Sequence, residues 1–275
     1  MAKLIDDTQY FKQNSNLTQK EQEVIKLNYR FRFFNSNQIQ ALLNHKSDSR
    51  LNGWLVKLTK EGYLIRDYKR IWGEGNKPAV YGLDKKGAKY LLNILKIKSR
   101  YLSNIAEEEN VSSVTVNHSI KALDFYLAIR DYAISKGHSI DYYTERDLDN
   151  EDYKVILKPD GYFKYITKKG SADCFIEIDL ETETRATFRQ KIAKYLDYYY
   201  SDKWKKHFKE FPVIGVVCIT QTRLENLLLD TEEKLKEYNN PPVEIKFTTF
   251  ERIKDEGLGS DIWKVTFSEE FDSLL

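Results

Sequence analysis

The sequence predicts two domains: an α+β domain at the N-terminus, followed by an α/β domain built on a mixed sheet. One observation is length, because 275 residues are enough for two hydrophobic cores. A second is charge: residues 1–100 carry 20 Lys and Arg against 9 Asp and Glu, a net +11, whereas residues 101–275 carry 24 against 33, a net −9. A third is the order of elements, which changes from helices and a hairpin to alternating strands and helices. The basic part is suited to attract phosphates, and the acidic part would repel them unless its carboxylates hold cations or lie elsewhere.

Composition excludes several classes of protein. A chain with 41% hydrophobic and 31% charged residues is typical of a globular protein, and the densest apolar run, "PVIGVVCIT", is far too short to cross a membrane. The N-terminus lacks the apolar core of a signal peptide. Cys174 and Cys218 both lie in apolar, strand-like runs, so we expect reduced core thiols in a cytoplasmic protein without membrane partners. Neither a disulfide nor a zinc site is predicted, because the four His residues show no ligand spacing.

Three helices are predicted before residue 62. The first begins in "LTQKEQEVIKLNYR", where Thr18 and Glu21 have the spacing of a capping box. The second lies in "NSNQIQALLN". The third runs from about Ser47 to Lys60, with Leu and Trp residues on its inward face, and ends before Gly62.

Two strands follow, in "YLIRDYKRIW" and "AVYGLD", joined by the turn-rich "GEGNKP". Three short helices followed by such a hairpin resemble a winged helix-turn-helix, in which the third helix enters the major groove and the wing touches the DNA backbone or minor groove. The resemblance implies that duplex DNA is contacted by Arg50, Asn52 and Lys57 on the third helix, and by Lys69, Arg70 and Lys77 on or beside the wing. A winged helix used for protein contacts is the alternative, and the +11 charge argues against it.

A connector is predicted between the two domains. "SVTVNHSIKALDFYLAIRDYAISKG" has apolar residues at helical spacings, consistent with one long helix from Ser113 to Gly137. The predicted organisation is therefore a winged helix-turn-helix domain over residues 1–100, a helical connector over 101–137 and an α/β domain over 138–275.

Two carboxylates on one predicted strand point to chemistry in the C-terminal domain. In "FIEIDLETET", Glu177 and Asp179 share one face of the strand, because successive side chains alternate between faces. "KPDGYF" supplies a third acid, Asp160, at a turn beside the neighbouring strand. Three converging carboxylates would repel one another, and a hard divalent cation such as Mg²⁺ would relieve that repulsion.

These residues resemble the core of a PD-(D/E)XK nuclease. The resemblance implies that Asp160 and Glu177 hold Mg²⁺ or Mn²⁺ and that a lysine two residues after the second acid helps to activate water. Here Asp179 occupies that lysine position, and would instead add a metal ligand or orient water. Gln190 and Lys191, on the following helix, are the candidates for a lysine function that has moved along the chain. The C-terminal fold is therefore expected to be an α/β, mixed-sheet, nuclease-like domain.

If the site is not catalytic, we expect its acids to be neutralised by Arg185, Arg189 and Lys191. The aromatic residues Tyr195 and Tyr198 on the same helix could stack on unpaired bases, but their helical spacing is more typical of packing in a core or a dimer.

The whole layout, from Leu17 to about Phe250, resembles the replication-relaxation family of plasmid, phage and conjugative-element proteins. The residues that carry the resemblance are the winged helix, "KPDGYF", "FIEIDLETET" and "KIAKYLDYY". It implies a role in replication or DNA relaxation, with double-stranded DNA, a homodimer partner and replication or relaxase proteins as expected partners. Three functions stay open: a DNA-binding replication or transfer accessory protein, an active Mg²⁺-dependent endonuclease or nickase, and a transcriptional regulator with a sensing domain. The first is favoured, with weak nicking or none, because Asp179 removes a cation where the reaction needs one.

Overall fold

A computed structural model describes residues 16–67, 78–95, 111–150 and 157–274 of the chain. The chain divides between Leu127 and Ala128 into two compact units. This division falls inside the segment 101–137 that the sequence predicts to be a connector. No helix in the described ranges is long and apolar enough to cross a membrane.

The N-terminal unit combines helices with a small antiparallel sheet. Its elements are α1 (Gln19–Phe31), β1 (Phe33–Asn35), α2 (Ser36–Leu43), α3 (Asp48–Lys60), β2 (Leu64–Asp67), β3 (Val80–Leu83) and α4 (Lys85–Leu95). The strand order is β1-β3-β2, and both pairings are antiparallel. The predicted wing residues Lys69, Arg70 and Lys77 lie outside the described residues.

Local capping explains where these helices begin and end. The predicted capping box is confirmed: the Glu21 amide donates to Thr18 Oγ1, and the Thr18 amide donates to Glu21 Oε2. Asn35 caps α2 in the same reciprocal way. At the end of α3, Gly62 adopts a left-handed φ of 77°, which lets the Tyr63 amide donate to the carbonyl of Leu58.

One apolar core holds the N-terminal unit together. It contains residues from α1, α2, α3 and the sheet, among them the fully buried Val24, Ile25, Phe34, Ile39, Leu55 and Leu58. Helix α5 (Ser113–Ser135) begins in this unit, where Leu123 joins the same core, and its residues from 128 onward belong to the C-terminal unit. The predicted long helix is thus present, and ends just before Gly137, at φ 67°.

The C-terminal unit is built on a seven-stranded mixed sheet. Its further elements are β4 (Ser139–Thr144), α6 (Glu145–Asn150), β5 (Gly161–Thr167), β6 (Gly170–Asp179), α7 (Arg185–Tyr200), β7 (Val213–Cys218), α8 (Gln221–Glu237), β8 (Ile245–Thr249), α9 (Phe250–Glu256), β9 (Trp263–Val265) and β10 (Phe271–Asp272). The strand order is β10-β9-β8-β7-β6-β5-β4. Strands β6, β7 and β8 run parallel, since α7 and α8 connect them, and the outer pairs are antiparallel.

Both faces of strand β6 are buried. Ile176 lies on one face and Phe175 on the other; both are inaccessible to solvent, and Phe175 packs near Tyr195 of α7. The physical reason is the parallel centre of the sheet, because crossover helices cover the face that would otherwise meet water. Glu177 and Asp179 therefore lie beneath helices. Cys174 and Cys218 are buried and unpaired thiols, as expected.

Candidate active site

The site begins where strands β5 and β6 pair. Gly161 lies opposite Ile176 in this antiparallel pair, so continuing the register places Asp160 opposite Glu177. The Asp160 carboxylate is fixed there, because its Oδ2 accepts a hydrogen bond of 2.7 Å from the Ile178 amide. A Cβ at Gly161, next to Asp160, would collide with the Tyr142 hydroxyl, so any other residue there would force that ring to move. The "PDGYF" stretch thus sets one acid directly beside the other.

Helix α7 supplies two side chains to Glu177. Lys191 Nζ lies 3.0 Å from Glu177 Oε2, and the Tyr195 hydroxyl donates a hydrogen bond of 2.5 Å to Glu177 Oε1. Residues four apart lie on one face of a helix, which is why Lys191 and Tyr195 reach the same carboxylate. Lys191 also lies 3.7 Å from Glu183 Oε2. Both oxygens of Glu177, a residue only 2% exposed, are therefore engaged.

Burial dominates the electrostatics of this cluster. The pKa of Glu177 is raised to about 8, mainly by burial and secondly by the nearby Asp160 carboxylate. Lys191 and Tyr195 oppose this shift. Burial alone would lower the pKa of Lys191, but the two carboxylates outweigh it and hold that pKa above its ordinary value. Burial also raises the pKa of Tyr195. Lys191 is therefore a cation and Tyr195 a neutral donor, while Glu177 resists ionisation unless further positive charge approaches.

Asp179 does not join this cluster as predicted. Its two carboxylate oxygens accept hydrogen bonds of 2.8 and 2.9 Å from Arg223 of α8, and both side chains are buried. Arg223 also donates to the Glu183 carbonyl, and Asp179 accepts from the Glu181 amide. The expected convergence of three carboxylates is wrong for Asp179, because a buried arginine neutralises it and ties down the loop that leads into α7.

The other predicted residues of α7 are placed differently. Gln190 is exposed on the helix surface, one residue before Lys191 and so about 100° around the helix from it. Arg185 and Arg189 do not neutralise the site acids. They pair instead with α8, where Arg185 binds Asp230 and Arg189 contacts Asp230, Glu233 and Glu237. Tyr195 and Tyr198 are buried in the core, which confirms packing over base stacking.

The predicted DNA-facing residues of α3 separate into two groups. Arg50 and Asn52 are exposed. The Lys57 side chain is 35% exposed, but its Nζ already has partners in the fold: it lies 2.9 Å from the buried Glu21 carboxylate and 3.2 Å from the Asn16 carbonyl. The +11 charge of this part of the chain is therefore not wholly available to a partner.

The sequence did not identify two residues of the site, Tyr195 and Arg223. Tyr195 follows Lys191 by one helical turn, which could have predicted its contact with Glu177, but its aromatic neighbours favoured a purely packing role. No such spacing predicts the role of Arg223, because it lies 44 residues from Asp179 and meets it only through the parallel pairing of β6 and β7. Within the described ranges, no group of three His, Cys, Asp or Glu side chains is arranged to hold a metal ion.

Comparison with known proteins places the chain in a family. Residues 26–214 match the family model described as replication-relaxation. Among curated proteins, none matches the chain. Two solved structures of the restriction endonuclease FokI, one of them bound to DNA, are similar at 13% and 12% identity and a TM-score of 0.29. The similarity covers 89% of this chain and 47% of FokI, so the chain spans about half the length of those proteins. A TM-score this low does not establish a shared fold.

Proposed function

Because the chain belongs to the replication-relaxation family, we propose that it is a DNA-binding replication or transfer accessory protein of a mobile element. Its N-terminal unit binds double-stranded DNA, and its C-terminal unit carries a nuclease-like site that cleaves weakly or not at all. A homodimer partner and replication or relaxase proteins complete the proposed assembly.

The element order of the N-terminal unit supports DNA binding. Helix, strand, two helices and two strands, with the strands in one antiparallel sheet, is the order of a winged helix-turn-helix. In that fold α3 is the helix that enters the major groove. Arg50 and Asn52 are exposed on it, and Lys46 is exposed just before it, so cationic and hydrogen-bonding groups lie where phosphates and base edges would be.

The proposal that the site cleaves DNA weakly or not at all rests on one observation: Lys191 and Tyr195 already bind the Glu177 carboxylate. A carboxylate that is 2% exposed, bound by Lys191 on one oxygen and by Tyr195 on the other, has no oxygen ready for a metal ion. A cation would have to displace Lys191 and overcome the raised pKa of Glu177.

The donor set fits a divalent cation in part. Asp160 and Glu177 provide hard oxygen ligands, and Mg²⁺ or Mn²⁺ commonly takes one or two carboxylates together with waters. Asp179, the third predicted ligand, does not fit, since Arg223 binds both of its oxygens. A bound ion would polarise a phosphoryl oxygen and activate water. Lys191 would then stabilise negative charge developing on the phosphate.

Cleavage of supercoiled plasmid tests the weak site. Wild-type protein is incubated with plasmid and Mn²⁺ or Mg²⁺, beside Glu177→Ala and a Glu181→Ala control in the neighbouring loop. We expect little or no nicking by any of the three. Robust nicking that is lost in Glu177→Ala and kept in Glu181→Ala would contradict the proposal and establish the alternative, an active endonuclease.

Salt-dependent binding tests the DNA-binding role. Fluorescence anisotropy with a labelled duplex should give an affinity that falls steeply as salt rises, with a logarithmic slope of about −0.9 for each phosphate contacted. Removing Lys46 and Arg50 together should reduce that slope. Removing the exposed Lys209 and Lys254 of the C-terminal unit, which deletes the same two positive charges, should leave it unchanged. Absence of duplex binding at low salt would refute the role.

A further inference from the structure

A glycine, Gly53, lies on the outward face of α3 near the middle of the helix. Leu51, Leu55 and Leu58 of this helix are buried and define its inward direction. At 100° per residue, Gly53 lies almost directly opposite their mean direction. The centre of the exposed face therefore lacks a side chain.

No internal contact explains this glycine. A Cβ built at Gly53 meets no atom within 4 Å in the described part of the chain, and the residue is helical rather than left-handed. Alanine would fit there, and it stabilises a helix interior relative to glycine. A glycine that costs stability and relieves no internal crowding fits a surface that another molecule approaches closely.

The surroundings of Gly53 indicate what that molecule is. Val56, one turn further on, is an apolar side chain left 45% exposed, and Asn52 is an exposed amide. Basic side chains flank them, namely the exposed Lys46, Arg50 and Lys60. Cations around a patch of amide and methyl groups complement a duplex, in which phosphates border a groove that displays base edges and thymine methyls.

We infer that Gly53 is the point where the α3 backbone approaches the floor of the DNA major groove, and that Asn52 and Val56 read an A·T pair there. Asn52 has the paired donor and acceptor that match adenine N7 and N6, and Val56 offers an apolar contact to the thymine 5-methyl group. The inference rests on the proposed DNA-binding role and deepens it, from attraction to phosphates to direct readout of sequence.

Substitutions at Gly53 separate close approach from helix stability. Full-length wild type, Gly53→Ala, Gly53→Leu and the control Asn93→Leu, on the exposed surface of α4, are compared by melting temperature and by affinity for a duplex selected by the wild type from a randomised pool. Both Gly53 variants should melt at or above the wild-type temperature. Affinity should fall with side-chain size, by about tenfold or more for Gly53→Leu, while Asn93→Leu stays within about twofold. Unchanged affinity, or a lower melting temperature for Gly53→Ala, would overturn the inference.

Replacing thymine by deoxyuracil tests the methyl contact. Each thymine of the selected duplex is exchanged in turn, which removes only the 5-methyl group, and binding is measured for wild type and Val56→Ala. At one position the exchange should weaken wild-type binding several-fold. The same exchange should not change the affinity of Val56→Ala, which lacks the side chain that contacts the methyl group. If every exchange is without effect on the wild type, the readout by Val56 is refuted. Binding without any enriched sequence would refute this inference and leave the DNA-binding role standing, whereas absence of all duplex binding would refute both.

Discussion

The α3 surface and the Glu177 site both gather charged side chains, yet they treat those charges in opposite ways. On α3, the Arg50 side chain is exposed to solvent. In the C-terminal unit, Glu177 and Asp179 are buried, and each carboxylate is bound by cations or hydrogen-bond donors of its own fold. The charges of the α3 surface are exposed to water, so a polyanion can bind them at little desolvation cost. The charges of the Glu177 site are buried and are neutralised by partners within the fold.

This difference shows how a charge count can mislead. The net −9 of residues 101–275 suggests free carboxylates, but the two on β6 are bound by Lys191, Tyr195 and Arg223. Part of the +11 of residues 1–100 is also used internally, since Lys57 neutralises Glu21. Substitutions should therefore divide into those that change stability and those that change binding.

The largest loss of stability is expected from breaking the buried ion pair of Asp179 and Arg223. Arg223→Met leaves a buried carboxylate without its cation and should cost about 3–5 kcal/mol in the free energy of unfolding, measured in urea. Removing both charges with Asp179→Leu and Arg223→Met should recover much of that loss, because the unpaired charge is gone. If the double variant were no more stable than the single one, neutralisation of Asp179 would not be the role of Arg223.

The second effect is a dependence of stability on pH that comes from Glu177. Its folded pKa, near 8, lies above the ordinary value of 4.5, so the folded state binds the proton more tightly. Stability should therefore fall as pH rises between about 4.5 and 8, by at most about 1.4 kcal/mol per pH unit. Glu177→Gln should remove this part of the slope in parallel unfolding curves. Identical slopes for the two proteins would show that Glu177 ionises normally.

A matched pair on α3 sharpens the contrast between paired and exposed cations. Lys57→Met should lower stability by about 1–2 kcal/mol, because it strips the buried Glu21 of a partner. Arg50→Met should change stability by less than about 0.5 kcal/mol and instead weaken duplex binding and its salt dependence. Urea unfolding and anisotropy are measured on both variants. The reverse pattern would mean that Lys57 serves DNA and Arg50 the fold.

The smallest effect is expected from Tyr195→Phe. The substitution keeps the buried ring and removes only the hydroxyl that donates to Glu177, so it should cost about 1 kcal/mol. Tyr198→Phe is the control, since the buried Tyr198 hydroxyl has no hydrogen-bond partner among the described residues. Equal losses in the two variants would mean that the bond to Glu177 contributes nothing measurable.

Local sequence was enough to predict many elements of both units. The reciprocal cap at Thr18, the stop at Gly62 and the long helix after Ser113 depend on residues within a few positions of one another, and all three are present. The alternation of strands and helices in the second unit, which predicted its α/β fold, also depends on local patterns. These features reflect backbone preferences and short-range hydrogen bonds, which a linear pattern records.

The sequence by itself also determined that Asp160, Glu177 and Lys191 are neighbours, because strand pairing and the next helix follow directly along the chain. Only the tertiary structure decided which charged side chains are neutralised within the fold and which stay exposed to a binding partner. Arg223 reaches Asp179 across 44 residues, and Lys57 reaches Glu21 across 36, through packing that no local spacing encodes. Burial then fixes the outcome, since a charge removed from water must find a partner wherever the fold brings one within reach.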